Sequence, residues 1–274
     1  MTTAQLDSTL RQLRLSGLGA TLRVRLQEAA ANRLGHAEFL ELLLQDELDI
    51  RRQRYLERRK RLAQFHALKA LDDLDWQYNP KLPKKEIFDL ATCRFVGERT
   101  DVLLIGPPGL GKTCIAQAIG YEAIKQGHLV RYTSIFDLVR DLLQDEALQQ
   151  KDRILRQYLK PDLLIIDDMG LKELPKRASE HFLEIIMRRH ENRSTMMTSN
   201  RPLEDWAKLI GDVPAATAIL DRFLQHAQII NITGKSYRLR KANGSEDPPT
   251  KTGKPGEEPK TPKGQQAAQE AVTS

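Results

Sequence analysis

Residues 106–113 read Gly-Pro-Pro-Gly-Leu-Gly-Lys-Thr and fit the pattern G-x-x-x-x-G-K-[ST]. The chemistry of that pattern is the cradling of a nucleotide's phosphates. Gly106, Gly109 and Gly111, with Pro107, Pro108 and Leu110 between them, let the backbone fold tightly so that its N–H groups point inward. Lys112 supplies a mobile cation for the β- and γ-phosphates, and the Thr113 hydroxyl is a candidate magnesium ligand. Cys114 follows at the start of an expected helix, whose positive dipole end adds to the anion site. Residues 106–114 form the candidate nucleotide-binding set.

Three further signals lie downstream. The run LLIIDD at 163–168 reads as a buried strand ending in two acids. Carboxylates at such strand ends face the crevice where open α/β sheets bind ligands. Asp167 is placed to hold magnesium through its water shell, and Asp168 to orient or deprotonate an attacking water. The run TMMTSN at 195–200 ends in Asn200, which senses the γ-phosphate or helps hold the water if its strand lies between the other two. Arg222, in ILDRFLQHAQIINI, is by spacing alone an ordinary helix arginine. An arginine in the right place can stabilise transition-state charge on a neighbour's γ-phosphate.

A different chemistry is written into residues 51–61, RRQRYLERRKR. Arg51, Arg52, Arg54, Arg58, Arg59, Lys60 and Arg61 face one acid, Glu57, so the segment alone carries +6, equal to the net charge of the chain. Arg51, Arg54, Arg58 and Arg61 recur at steps of three, four and three, which places them on one helix face. Such a stripe neutralises DNA phosphates and releases counterions, giving sequence-independent, salt-sensitive affinity.

Other chemistries have no support. The six histidines show no H-E-x-x-H or other metal-ligand spacing, and no G-x-S-x-G elbow occurs. The two cysteines, Cys93 and Cys114, form no C-x-x-C pair and fit a reducing compartment. No apolar run approaches the roughly 20 residues of a membrane span, and the first residues lack a signal-peptide core. The chain is thus expected to stay where it is made.

These residues need elements to hold them. Residues 1–75 are predicted to be all-helical, with Gly17 and Gly19 breaking a first run, a second helix over 20–33 and a third from His36 toward Phe65. Residues 76–99 form a connector broken by Pro80 and Pro83, with a short helix over 84–91. From 100 to 240, strands at 102–105, 129–134, 163–167, 195–199 and 228–232 alternate with helices at 113–126, 135–149, 177–191, 203–210 and 215–226. The fold class is α/β, a parallel sheet flanked by helices, behind a small all-α N-terminal domain. The tail, 241–274, has five prolines, five lysines and no aromatic residue, and is predicted to be disordered.

The order of these signals resembles the IstB family of insertion-sequence ATP-binding proteins, AAA+ ATPases related to the helicase loader DnaC. A basic helical region comes first, followed by GPPGLGKT, LLIIDD, TSN, DRFLQHA and GKSYR. The segments FLELLLQDELDIRRQRYLERR and ALKALDDLDW are similar to that family's N-terminal half. The resemblance implies a cytoplasmic AAA+ ATPase using ATP and magnesium. It implies assembly on double-stranded DNA as a homo-oligomer, with ATP sites between subunits and recruitment of a partner transposase. Lys112, Thr113, Asp167 and Asn200 then match the family's site, and Arg222 matches its intersubunit arginine finger, with Arg201 and Arg238 as alternatives. Asp168 stands where AAA+ enzymes usually carry glutamate, which implies slow or partner-dependent hydrolysis. Little chain remains after Ile232 for a helical lid. A helicase loader, or an ATP-binding DNA protein without hydrolysis, would share the core.

Overall fold

Parallel strands covered on both faces favour apolar side chains on both, and the five strands expected from the sequence form one parallel sheet. A computed structural model describes residues 3–66, 70–148, 151–170, 173–206, 210 and 213–238. The strands are β1 (Asp101–Ile105), β2 (Val130–Ser134), β3 (Leu163–Met169), β4 (Ser194–Ser199) and β5 (Ala227–Asn231). They pair in the order β2-β3-β4-β1-β5, all parallel.

Alternate residues of each strand serve opposite layers. Val102, Leu104, Ile165, Met196 and Ile230 pack under α4 (Lys84–Ala91), α5 (Arg94–Gly97) and α6 (Lys112–Lys125). Leu103, Leu164, Ile166 and Met197 face α7 (Ile135–Leu148), α8 (Lys151–Leu159), α9 (Lys176–Arg189) and α10 (Val213–Gln225). The result is a three-layer α/β/α sandwich. The strand tips after β1, β3 and β4 are neighbours because β4 sits between the other two.

Three helices precede this core: α1 (Thr3–Gln12), α2 (Ser16–Asn32) and α3 (His36–Ala63). Leu10, Leu18, Leu22 and Leu43 form their own small apolar cluster. The 28-residue α3 reaches beyond it, and Ala63 at its far end is buried in the cluster under α6.

The structure departs from the sequence reading in several elements. Gly17 and Gly19 do not break a helix; both lie inside α2, and the chain turns just before it. Gly17 is there for close approach, since a Cβ would stand 2.9 Å from the Glu47 Cα. Glu47, buried in α3, accepts the Gly17 and Leu18 N–H groups at 2.6 and 2.9 Å, in place of a side-chain cap on α2. The helix α8 is additional, and its Leu155 and Tyr158 are held in the second cluster. Of the helix expected over 203–210, the described residues show a 3-10 turn at Leu203–Asp205 followed by a helical Trp206, and 207–209 lie outside them. The tail at 241–274 also lies outside them. Among the described residues, no helix is long and apolar enough to cross a membrane.

Candidate nucleotide site

The phosphate loop leaves the C-terminal end of β1 and enters α6. Gly109 and Gly111 take φ values of 82° and 88°, which an L side chain would strain. The Gly106 N–H donates to the Ser199 carbonyl at 3.1 Å, tying the loop to the tip of β4. Lys112 is buried at the first position of α6, and its ammonium donates to the carbonyls of Gly106 and Pro107 at 2.7 and 2.8 Å. Burial pulls its pKa down, opposed by the charges of Asp167 and Asp168.

Asp167 is 2% exposed and is the hub of the site. Its Oδ1 accepts from the Thr113 hydroxyl at 3.2 Å and from the Thr198 hydroxyl, and its Oδ2 accepts from the Tyr132 phenol at 2.6 Å. The Thr198 hydroxyl also accepts the Asp168 N–H at 3.1 Å, so the backbone after Asp167 is pinned as well. Pairing between β3 and β4 shifts register between Ile166 and Met169, and Asp168 sits in that bulge at φ 61°. The bulge leaves Asp168 exposed beside its buried neighbour. Loss of water and the Asp167 charge raise the Asp168 pKa, while Arg238 and Lys112 oppose the rise.

Asn200, immediately after β4, is half-buried, and its Oδ1 is shielded from water without a hydrogen-bond partner among the described residues. That oxygen is an acceptor whose partner would be a donor such as water, while the amide N–H₂ is the end that can meet a phosphate oxygen. The hard oxygen donors of Thr113 and Asp167, 3.2 Å apart, suit the close octahedral shell of magnesium. The loop, its lysine and these oxygens therefore fit a magnesium nucleotide. Pro107, Pro108 and Leu110 complete the loop, and Cys114 lies half-buried in the first turn of α6.

Arg222 does not join this group. It lies in the last turn of α10, and the chain passes at once through His226 into β5. The His226 carbonyl accepts the Asp101 N–H at 3.1 Å, at the N-terminal start of β1. The P-loop begins at the other end of that strand, about 13 Å away at 3.3 Å per residue. Arg222 thus stands at the sheet edge opposite its own P-loop, half-buried, with a long 3.5 Å contact to Gln225. Arg201 is exposed just after Asn200. Arg238 is exposed too, near enough to Lys112 and Asp168 to bear on both charges.

Two parts of the site have a structural role that residue spacing does not reveal. The first is the pair Tyr132 and Thr198, which hold Asp167 from the flanking strands. The second is the segment after β5, which doubles back over the P-loop. The Tyr237 N–H donates to the Gly109 carbonyl at 2.9 Å, and a Cβ on Gly109 would meet the Ser236 hydroxyl at 2.1 Å. Tyr78 and Asn79 of the connector hold the strap by hydrogen bonds to the Ser236 and Thr233 carbonyls at 3.1 and 3.2 Å. The Tyr78 and Tyr237 rings are 4.9 Å apart.

The basic stripe is partly engaged. Arg51 pairs with Glu47 at 2.7 Å and reaches the Arg14 carbonyl, and Arg54 donates to Ser16. Arg59 stacks on Tyr55, while Lys60 pairs with Glu57 and lies 4.8 Å from the Tyr121 ring centre. Arg52, Arg58 and Arg61 are exposed and form no ion pair among the described residues. The fold also gathers His190, Glu191 and His226, which no sequence spacing suggests, at the sheet edge away from the P-loop. Their histidine Nε2 atoms lie 3.7 and 3.5 Å from Glu191 Oε1.

A parallel sheet with a P-loop after β1, a buried acid near the end of β3 and an asparagine after β4 around one crevice defines a P-loop ATP-binding protein. The comparisons with known proteins agree. The family described as IstB-like ATP binding protein matches residues 8–245, and the chain belongs to that family. It is 35% identical over 236 residues to a protein of insertion sequence IS21 from Pseudomonas aeruginosa, named for ATP binding, covering 86% of this chain and 89% of that one. The corresponding insertion sequence IS5376 protein of Geobacillus stearothermophilus is 34% identical over 80% of this chain and 87% of its own. Among solved structures, DnaI shares the fold with a TM-score of 0.51 at 24% identity, over 65% of this chain and 92% of that one.

Proposed function

We propose that this chain is an ATP-hydrolysing switch for DNA transposition. With ATP bound it assembles on double-stranded DNA as a homo-oligomer, and in that state it recruits and stimulates a partner transposase. The observation that carries the reading is the separation of Arg222 from its own P-loop, while Lys112, Thr113, Asp167 and Asn200 lie around one crevice. A chain that carries its nucleotide crevice at one end of the sheet and Arg222 at the other is suited to head-to-tail association. The insertion-sequence context of the relatives supports transposition as the setting.

Each residue then has one task. Lys112 and the loop amides would hold the phosphates, and Thr113 and Asp167 would hold magnesium, which would supply charge neutralisation for the transferred group. Asn200 senses the γ-phosphate. Asp168 orients the water from its exposed position beside Asp167. Arg222 completes the neighbour's site, and Arg51, Arg52, Arg54, Arg58, Arg59, Lys60 and Arg61 form the DNA-facing segment.

Two variants test this. Arg222→Ala should bind ATP as tightly as the parent yet lose about 1000-fold in DNA-stimulated phosphate release and fail to form the ATP-dependent assembly. Normal hydrolysis by this variant would move the finger to Arg201 or Arg238. Replacing Arg52, Arg58 and Arg61 with alanine should weaken duplex binding at every sequence and lower the salt slope by about 3, since each arginine neutralises one phosphate. An unchanged slope would mean that these side chains face protein or water.

A further inference from the structure

The exposed arginines of α3 and the hub of the nucleotide site are joined by a short chain of contacts. At its C-terminal end α3 stops at Gln64, which takes a left-handed φ of 58°, and Phe65 and His66 follow. Both rings pack on Tyr132. His66 meets it edge-on with centroids 5.3 Å apart and planes at 89°, and Phe65 lies 6.2 Å from it. Phe65 is wedged on its other side, since a Cβ on Gly120 of α6 would stand 3.1 Å from its ring. Tyr132 is 3% exposed, and its hydroxyl donates to Asp167 Oδ2 at 2.6 Å, with the Gln117 side chain of α6 approaching the same hydroxyl.

The two oxygens of Asp167 therefore answer to different parts of the molecule. Oδ1 is set by Thr113 of the P-loop and Thr198 of β4. Oδ2 is set by the tyrosine against which the basic helix ends. Two polar contacts between α3 and the core lie farther along α6. Lys60 lies over Tyr121 and Tyr55 donates to the Gly127 carbonyl, both toward the C-terminal end of α6.

We propose that Tyr132 is a positioning residue that couples the basic helix to the metal-holding carboxylate. A load on α3 moves Phe65 and His66, tilts the Tyr132 ring and resets Asp167 Oδ2. The coupling rests on the reading that α3 carries DNA and Asp167 holds the metal. It is a packed, hydrogen-bonded route from one site to the other, and by linkage a metal nucleotide at Asp167 alters how α3 meets DNA to the same extent.

The experiment measures Mn2+ affinity, from loss of the free-ion EPR signal, in full-length protein saturated with a non-hydrolysable ATP analogue. It is run with and without a duplex, alongside duplex binding by fluorescence anisotropy. Tyr132→Phe keeps the ring and removes only the hydroxyl. It should weaken Mn2+ binding about 10-fold, as loss of an outer-shell partner does. The duplex should shift the Mn2+ affinity of the parent severalfold and leave that of Tyr132→Phe unmoved. A Tyr132→Phe protein that matches the parent in both affinity and duplex response overturns the proposal. A parent protein that does not bind the duplex overturns the DNA reading instead. The coupling is then decided by Phe65→Leu, Tyr132→Phe and the double variant. Non-additive effects on Mn2+ affinity support it, and additive effects overturn it.

Discussion

Lys112→Ala is expected to lose about 100-fold in ATP affinity, equivalent to about 3 kcal/mol, and with it every ATP-dependent step. The ammonium is buried at the head of α6 and bridges two loop carbonyls, Gly106 and Pro107, within 2.8 Å. It can turn from those neutral acceptors to charged phosphates, where each charge-assisted bond is roughly twice as strong. Because both partners are backbone atoms of the loop itself, the sheet keeps its interstrand pairing, and the variant should melt close to the parent. Titration with a fluorescent ATP analogue measures the affinity, and retention of parental affinity would place the nucleotide somewhere other than this loop.

Asp167→Asn should reduce phosphate release by about 1000-fold while sparing metal-free nucleotide binding. An amide is nearly the same size as the carboxylate, so the core around it stays filled. It carries no charge for magnesium, and it brings an N–H₂ where Tyr132 or the two threonines now donate. Rotating those hydroxyls to accept restores the hydrogen bonds but not the charge. Removal of a single preorganised electrostatic group commonly costs a factor of about 100–1000, and loss of a metal-holding carboxylate belongs at the upper end. Single-turnover phosphate release with and without excess magnesium measures it. Hydrolysis at the parental rate would remove Asp167 from the metal's shell.

The parts of the site that are legible in the sequence are those whose signals are local. The P-loop is one run of eight residues, and each acid or amide is placed by the apolar strand that ends beside it. Parallel strands buried on both faces favour continuous apolar runs, so β1 and β3 announce themselves, whereas β4, STMMTS, is marked only by its two methionines and the asparagine that follows. The partners that set Asp167 are hidden for the opposite reason. Tyr132 is 35 positions away and looks like any strand tyrosine until register puts it opposite β3. The strap joins Tyr78 to a carbonyl 158 positions on, a contact that periodicity does not encode. Gly17 misleads because a glycine that lets a neighbouring helix approach is indistinguishable, in one dimension, from a glycine that ends a helix.

The distance between Arg222 and its own P-loop has an arithmetic consequence on the proposed reading. Each complete ATP site belongs to a junction between two subunits, so an open row of n subunits holds n − 1 of them and always leaves one end unable to turn over. Turnover per molecule then climbs with row length and is absent in the isolated chain. A long duplex that gathers more subunits would quicken the reaction that disperses them, so the assembly carries its own timer.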